Sequence, residues 1–533
     1  MQARAMIMAV AGLLMINSIA SAEIYQWEYV DPAHPELGKQ QSPTLCPDGA
    51  GVWAVPLADL SFRNLTQAYL IGSDLTGASF YLATLTNADL SNAVVKRAEF
   101  FSTTGQGFTA AQLYSTASYA SGDLTGIDLG GDDLTGWDFA GKDLTSADFE
   151  RAKLTSANLS NAVVKRAYFG NTTLTAAQLY STASYASGDL TGIGLDNDDL
   201  PGWNFAGKNL TDASFSWAKL TNANLSNAVV KGANFEATTS QDFTAAQLYS
   251  TASYASGDLT GICLSMDDLT GWKFAGKNLT SADFTFATLT GADFSFADVR
   301  GAIGVTSSQW LSTSTRRNAI YTDGTIAGLS LQAADHLVVR NNPIAITVTG
   351  IMSLAEGSEL EIRLDEEHWG SSISPQAGIP VTLGGTLHLT LADGAEGENL
   401  LGRTFDLFNW NGLLSEDNRF GAIVSLPGYL WDTSKLYTTG EVTLTAISLA
   451  GDANGDGVVD AADYIILKRN FGKPGAKAQG DLSGDGKVDW ADLQILMSNF
   501  GAGGGSAPAA APEPATLTLL TLGGLALIRR RRK

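Results

Sequence analysis

Cysteine and histidine are both scarce in this chain. Its 533 residues include two cysteines, Cys46 and Cys263, and four scattered histidines, His34, His336, His368 and His388. Two cysteines in different segments are too few for a disulfide framework and are expected to stay unpaired. The histidines form no HExxH pair, and there is neither a Walker loop nor a dinucleotide fingerprint, so the reading is non-enzymatic. Basic charge is scarce as well. Lys and Arg number 33 against 55 Asp and Glu, a balance of −22 that becomes about −28 once Arg4 and the five basic residues of the tail are removed. Such a chain repels phosphate, which excludes nucleic acid as a partner and favours divalent cations or cationic polymers.

What is plentiful is glycine, 57 residues, with many Asn, Asp, Ser and Thr beside 44% apolar residues. That is the composition of a folded chain with many tight turns, mainly β or solenoidal, and its length calls for several domains.

Both ends read as address signals. Residues 1–22 hold Arg4, an apolar run from Met6 to Ile16 and then Ala20-Ser21-Ala22, the pattern of a signal peptide cut before Glu23. At the other end Pro512-Glu513-Pro514 precedes an apolar stretch, Ala515 to Ile528, and a basic cluster, Arg529 to Lys533. The stretch is shorter than the roughly 20 residues of a comfortable transmembrane helix. The basic cluster holds that end in the cytoplasm during export, so transient membrane association is expected rather than a permanent anchor. Residues 512–533 resemble the PEP-CTERM sorting signal. The resemblance implies inner-membrane retention, cleavage by an exosortase-type enzyme, and delivery to the cell surface or extracellular matrix.

Between the ends the chain repeats. From Ala58 on, Leu or Phe recurs every five residues, as at Leu60, Leu65, Leu70, Leu75, Phe80, Leu85 and Leu90. A small residue stands two places before many of them, as at Ala78, Ala83, Ala88, Ala93 and Ala98. A period of five fits neither strand nor helix, so the chain must turn regularly, with the large and the small residue both inside a narrow core. The pentads NADLS, SADFE, SANLS and GADFS resemble the pentapeptide-repeat family, which implies a right-handed quadrilateral β-helix over 58–304. Four pentads per circuit predict about nine or ten coils and a shaft of roughly 45 Å.

Three near-identical segments interrupt the pentads, beginning at Phe108, Leu174 and Phe243. Thr109, Thr175 and Thr244 with Gln112, Gln178 and Gln247 read as capping boxes, so short inserted helices are expected near 108–120, 174–186 and 243–255. Phe108 with Leu113, Leu174 with Leu179, and Phe243 with Leu248 are placed as hydrophobic staples. Residues 23–57 are expected to cap one end of the coil, and 305–323, with the degenerate copy VTSSQWLST, to form a helical cap at the other. Large residues recur at the small position: Ile127, Trp137 and Lys142, then Ile193, Trp203 and Lys208, then Ile262, Trp272 and Lys277. The three tryptophans are expected beneath the inserted helices; the alternative is an exposed sugar-stacking platform.

Residues 324–449 alternate in short runs and predict a β-rich domain, a sandwich or a continued irregular solenoid. Its one dense titratable cluster, Glu359, Glu361, Asp365, Glu366, Glu367 and His368, reads as a solvated edge; the alternative is a carboxylate pair for glycoside hydrolysis.

The most chemically specific segment is duplicated. DANGDGVVDAAD from Asp452 recurs as DLSGDGKVDWAD from Asp481, each followed by an apolar helix. A hard cation takes six or more oxygens, and loop positions 1, 3, 5, 7, 9 and 12 supply them. In the first loop these are Asp452, Asn454, Asp456, the Val458 carbonyl, Asp460 and Asp463. In the second they are Asp481, Ser483, Asp485, the Lys487 carbonyl, Asp489 and Asp492. The cofactor indicated is Ca2+. Asp at position 12 and one helix per loop resemble the type I dockerin, over 450–501. That family implies a cohesin-like protein partner, often in polysaccharide catabolism. The residues at the partner-reading positions, Ala461 and Ala462 in one copy and Trp490 and Ala491 in the other, make the two faces unlike. A flexible linker, 502–511, follows.

The function read from the sequence is thus an exported, non-catalytic structural or adhesive surface protein that meets protein or polysaccharide. The alternative is a carbohydrate-binding or scaffold component of an extracellular polysaccharide-degrading system. A third reading, an acidic DNA mimic that inhibits gyrase, conflicts with the export signals.

Overall fold

A computed structural model describes residues 23–305, 315–392, 394–410, 414–426, 428–447 and 449–502. The signal peptide, most of the VTSSQWLST copy, the linker from 503 and the sorting signal lie outside them. The chain forms two compact units. The first holds residues up to Thr270 with Ala282–Thr288; the second holds Gly271–Ser281 and the residues from Leu289 on.

In the first unit the pentads wind. Parallel bridges join Asp133 to Lys153, Asp138 to Asn158, Asp143 to Val163 and Asp148 to Tyr168, so one circuit takes four pentads. Each corner is a four-residue turn, as where the Ala88 N–H donates to the Leu85 carbonyl at 3.0 Å. Its third residue is left-handed, with φ of 57° at Asn87 and 58° at Asn92 and Asn161, which is why Asn, Gly and Ser recur there. Leu, Phe and the small residues point inward and are buried, each large side chain worth roughly 1.5–3 kcal/mol. Phenylalanines stack coil upon coil, as Phe149 on Phe169 at 5.1 Å.

An antiparallel pair, β1 (Glu23–Tyr29) and β2 (Lys39–Ala50), packs on the first pentads as the expected cap. The Trp27 N–H donates to the Gln67 carbonyl and the Tyr69 N–H to the Tyr25 carbonyl, which occupies the coil's first open edge. Cys46 and Cys263 are free thiols.

The inserts replace part of a coil. Glu99 pairs with Asp128 and Asn234 with Cys263, 29 positions on, and Tyr168 pairs with Gly194, 26 on. Each insert carries two five-residue helices, Ala110–Tyr114 and Ala117–Ser121 in the first, with equivalents Ala176–Tyr180, Ala183–Ser187, Ala245–Tyr249 and Ala252–Ser256. All three expected capping boxes form. The same glutamines anchor the insert, since Gln112 Nε2 donates to the Leu85 and Ala88 carbonyls, both at 2.8 Å. A helix cannot continue a strand ladder, so a buried amide of the preceding coil would lose its partner. A helix serine replaces it: Ser118, Ser184 and Ser253 Oγ accept from the Val95, Val164 and Val230 N–H groups at 2.9 Å.

The oversized inward residues serve the same repair. Trp137 is buried against Phe108 and Tyr114, and Trp203 against Tyr180, while Trp272 is buried in the second unit. Burial removes the sugar-stacking platform. Lys142 Nζ donates to the Tyr119 carbonyl at 2.8 Å from above the Tyr119 ring, and Lys208 does the same at Tyr185.

In the second unit the ladder resumes beyond the expected helical cap, whose residues 306–314 lie outside the described residues. Thr315 pairs with Asp293 and Ile320 with Asp298, so 315–323 extends the coil. Nine short strands follow: β3 (Thr325–Ile326), β4 (Leu329–Leu331), β5 (His336–Arg340), β6 (Ile346–Val348), β7 (Met352–Leu354), β8 (Glu359–Leu364), β9 (Ile373–Pro375), β10 (Val381–Leu383) and β11 (Thr386–Leu391). Every third strand returns to the same parallel sheet, giving β3-β6-β9, β4-β7-β10 and β5-β8-β11, the last joined by β13 (Ala422–Ser425). Of the two expected architectures, this is the solenoid. An antiparallel sheet of β12 (Thr404–Asp406), β15 (Glu441–Ile447) and β14 (Tyr429–Asp432) ends it. No helix among the described residues is long and apolar enough to cross a membrane.

Arg300 ties the last pentads to these strands. Fully buried, it donates from Nε and Nη2 to Asp298, from Nη2 to the Arg340 carbonyl, and from Nη1 to the Ile344 carbonyl and Ser371 Oγ, at 2.6–3.2 Å. Removing one partner of a buried pair strands the other's charge, at a cost of about 3–5 kcal/mol. Arg300→Met is therefore expected to lower the thermal midpoint of the second unit in scanning calorimetry. Adding Asp298→Leu should recover most of the loss.

Candidate functional site

The duplicated loops lie in the second unit, and each opens a helix, Ala461–Asn470 and Trp490–Ser498. Residues 452–463 and 481–492 fold alike because each turns through a glycine in the left-handed region, Gly457 at φ 84° and Gly486 at φ 85°, where a side chain is strained. The residue after each loop's seventh position is a buried valine. Val459 exchanges backbone bonds with Gly501 and Ala502 beyond the second helix, and Val488 with Gly472 and Lys473 beyond the first. The pair is thus cross-laced. Leu467 and Leu496 sit in a core that runs on into the solenoid strands.

The carboxylates at positions 1 and 12 are buried in both loops: Asp452, Asp463, Asp481 and Asp492. Backbone amides orient them. Asp452 accepts from Gly455 and Gly457, and Asp463 from Ala453, Asn454 and Asp460. Asp481 accepts from Gly484, Asp485 and Gly486, and Asp492 from Leu482, Ser483 and Asp489. Burial opposes ionisation of Asp492, yet the amides of Asp489, Ser483 and Leu482 outweigh it and hold its carboxyl below the usual range. Asn454, Asp456, Ser483 and Asp485 are exposed at the loop mouths, with Lys487 exposed and Val458 half-buried. Asp460 and Asp489 also cap the helices, accepting from the Ala462 and Ala491 N–H groups, so position 9 has two duties.

This donor set fits a hard dication in its chemistry. Only oxygens are offered, four carboxylates per loop, and the bonds to the buried ones come from backbone amides and a serine hydroxyl rather than from a cation. As the side chains stand, no three His, Cys, Asp or Glu among the described residues are disposed to hold a metal ion.

In the titratable cluster of 359–368, Glu359, Glu366, Glu367 and His368 are exposed and Asp365 is half-buried, as a solvated edge requires, and Glu361 departs from it. Glu361 lies on the central strand β8 and is largely buried. Its carboxylate meets His336 Nε2 at 2.9 Å, Arg363 Nε at 2.7 Å and the Thr390 hydroxyl at 2.9 Å. Burial opposes ionisation, but these three partners prevail and hold the carboxyl down to about 2. An acid that weak in proton affinity cannot protonate a leaving group near neutrality.

Comparison with known proteins agrees with these elements. The model of pentapeptide repeats matches residues 58–100, 123–161, 204–238 and 268–303 in eight copies. The dockerin type I domain matches residues 450–501, and the PEP-CTERM protein-sorting motif matches 510–533. Among solved structures, HetL, a pentapeptide repeat protein involved in heterocyst differentiation regulation from the cyanobacterium Nostoc sp., is 21% identical over 51% of this chain and 90% of its own, with a TM-score of 0.14. Full-length QnrB1, a plasmid-mediated fluoroquinolone resistance protein, is 15% identical over 37% of this chain and 84% of its own, with a TM-score of 0.16. No curated protein matches this chain. The chain is a mainly β protein that carries pentapeptide repeats, a type I dockerin domain and a PEP-CTERM sorting motif. The last two point to an exported cell-surface protein with a calcium-binding module.

Sequence reasoning missed the valine lacing and the partners of Glu361. Val459 and Val488 share one loop position and could have been found by aligning the copies; His336 and Thr390 meet Glu361 only through strand register. Glu361→Gln is expected to reduce stability at pH 7 by about 1–2 kcal/mol, measured by denaturant titration. Because the folded carboxyl sits below its ordinary 4.5, its contribution is present above that pH and lost as pH falls towards 2. The difference between variant and parent should therefore shrink on acidification.

Proposed function

We propose that this is an exported, non-catalytic structural or adhesive protein of the cell surface. Its pentads, wound as a right-handed quadrilateral β-helix, act as a rigid spacer, and its dockerin-like pair, loaded with Ca2+, acts as clamp or docking point. The observation that carries the reading is the duplicated loop, with its buried, amide-oriented carboxylates at positions 1 and 12. Asp452, Asn454, Asp456, the Val458 carbonyl, Asp460 and Asp463 would hold one ion, and Asp481, Ser483, Asp485, the Lys487 carbonyl, Asp489 and Asp492 the other. Calcium supplies the counter-charge that lets each cluster of four carboxylates stay packed.

The low proton affinity of Glu361 supports the non-catalytic reading. The sorting motif supports exosortase-type processing after transient inner-membrane retention. The dockerin match favours a second reading, a scaffold component of a polysaccharide-degrading system that engages a cohesin-like module. On that reading Ile465 and Trp490, both exposed on the two helices, are available to a partner. The sorting motif leaves the DNA-mimic reading without a target.

Calorimetric titration of Ca2+ into the chain from Glu23 on tests the proposal. Two sites are expected, falling to one in Asp456→Ala and one in Asp485→Ala, with a higher melting point when loaded. Absence of any binding would leave a passive spacer.

A further inference from the structure

The inward position two places before the core Leu or Phe takes a small residue in most pentads. In the coil that follows each insert it takes an aspartate: Asp132, Asp198 and Asp267. All three are buried, and all belong to the first unit.

Each is bonded through one oxygen only. Asp132 Oδ1 accepts from the Thr104 N–H at 2.8 Å and its hydroxyl at 3.0 Å, and Asp267 Oδ1 from the same groups of Thr239 at 2.8 and 3.0 Å. Asp198 Oδ1 accepts from the Thr172 N–H at 3.2 Å. These are the amides that open the first turn of each insert. The other oxygen, Oδ2, is buried without a hydrogen-bond partner in all three.

Charge nearby offers no relief. Asp128 lies beside Asp132, Asp196 beside Asp198 and Glu236 beside Asp267, all acidic. The cations of the next coil are engaged elsewhere, Arg151 with Glu150 and Lys153 with Asp133, both at 3.3 Å, and Lys219 with Asp199 at 3.9 Å. Apart from tyrosines, the inserts hold one ionisable residue, the exposed Asp242 of the third. An ionised carboxylate here would leave an unsolvated oxygen facing like charge, whereas a protonated one keeps its bonds to the insert through the carbonyl oxygen.

We propose that Asp132, Asp198 and Asp267 are three equivalent proton-operated latches, which hold the first turn of each insert on the coil when protonated and loosen it when ionised. Burial pushes the three carboxyls up, to about 7, about 7 and about 6, against the pull of the threonine hydrogen bonds. A folded value above the unfolded one means that the stabilisation is complete below about pH 4 and lost as pH rises through 6 to 7. Between pH 5 and 6 each latch changes the unfolding constant by up to about tenfold per pH unit, so three in one cooperative unit change it by up to about a thousandfold.

The test compares denaturant unfolding of the chain from Glu23 on with that of Asp132→Asn/Asp198→Asn/Asp267→Asn at pH 5, 6, 7 and 8. Asp128 and Asp148, whose carboxyls burial also raises, remain in both, so the difference isolates the three latches. The parent is expected to lose stability steeply from pH 5 to 7, and the variant to be nearly flat by comparison. Equal slopes would overturn the proposal. Should the triple variant not fold, hydrogen exchange in the parent decides: protection of 104–107, 172–174 and 239–243, corrected for intrinsic rate, should fall at least tenfold from pH 5.5 to 7.5. Protection that stays constant would overturn it equally.

Discussion

The backbone ladder between successive circuits is the interaction on which everything else in the repeat region depends. A coil that closes in four pentads has almost no loop in which to hide an error, because its N–H groups either close the corner turns or must meet carbonyls on the neighbouring circuits. The pentad sequence is the side-chain consequence: a large and a small residue inside, a left-handed residue at the corner, polar residues between. The inserts break the ladder, and the residues that break the pentad rule repair it. Ser118, Ser184 and Ser253 supply the acceptors that the helices remove, and Lys142 and Lys208 return a donor to the insert. Trp137 and Trp203 fill the space beneath their inserts. Departures that look like decay in a consensus are thus the fittings of an insertion.

Legibility in the sequence followed the range of the interaction. The pentad register, the threonine–glutamine capping boxes and the helix that follows each twelve-residue aspartate-rich loop are each encoded within a few residues, and each was readable with its residue numbers. The strand order of the solenoid from Thr325 to Ser425 was not, because its strands run from two to six residues and return at uneven spacing, so no period marks which strand lies on which. The Arg300 network joins residues 2, 40, 44 and 71 positions away, and nothing local distinguishes Arg300 from a surface arginine. Asp132, Asp198 and Asp267 are a different case. They sit in the same register as Ile127, Trp137 and Lys142, so every inward position of that coil departs from the small residue, and a strict reading of the period would have included them.

Buried charge meets three different fates in this chain, and the hydrogen bonds tell them apart. Asp298 is matched by a guanidinium, which neutralises it where it stands and ties two architectures together. Asp463 has both oxygens filled by amides, Ala453 and Asn454 on one and Asp460 on the other. The same arrangement around Asp492 holds its carboxyl below the usual range and leaves negative charge for a cation to complete. Asp132 has one oxygen filled and one bare, which favours the proton. The same side chain at comparable burial is therefore met by a guanidinium, by amides on both oxygens or by donors on one oxygen alone, according to what its surroundings present. In a chain this acidic, that local arrangement decides more than net charge does, because long-range repulsion is screened beyond about 10 Å while a bare buried oxygen is not.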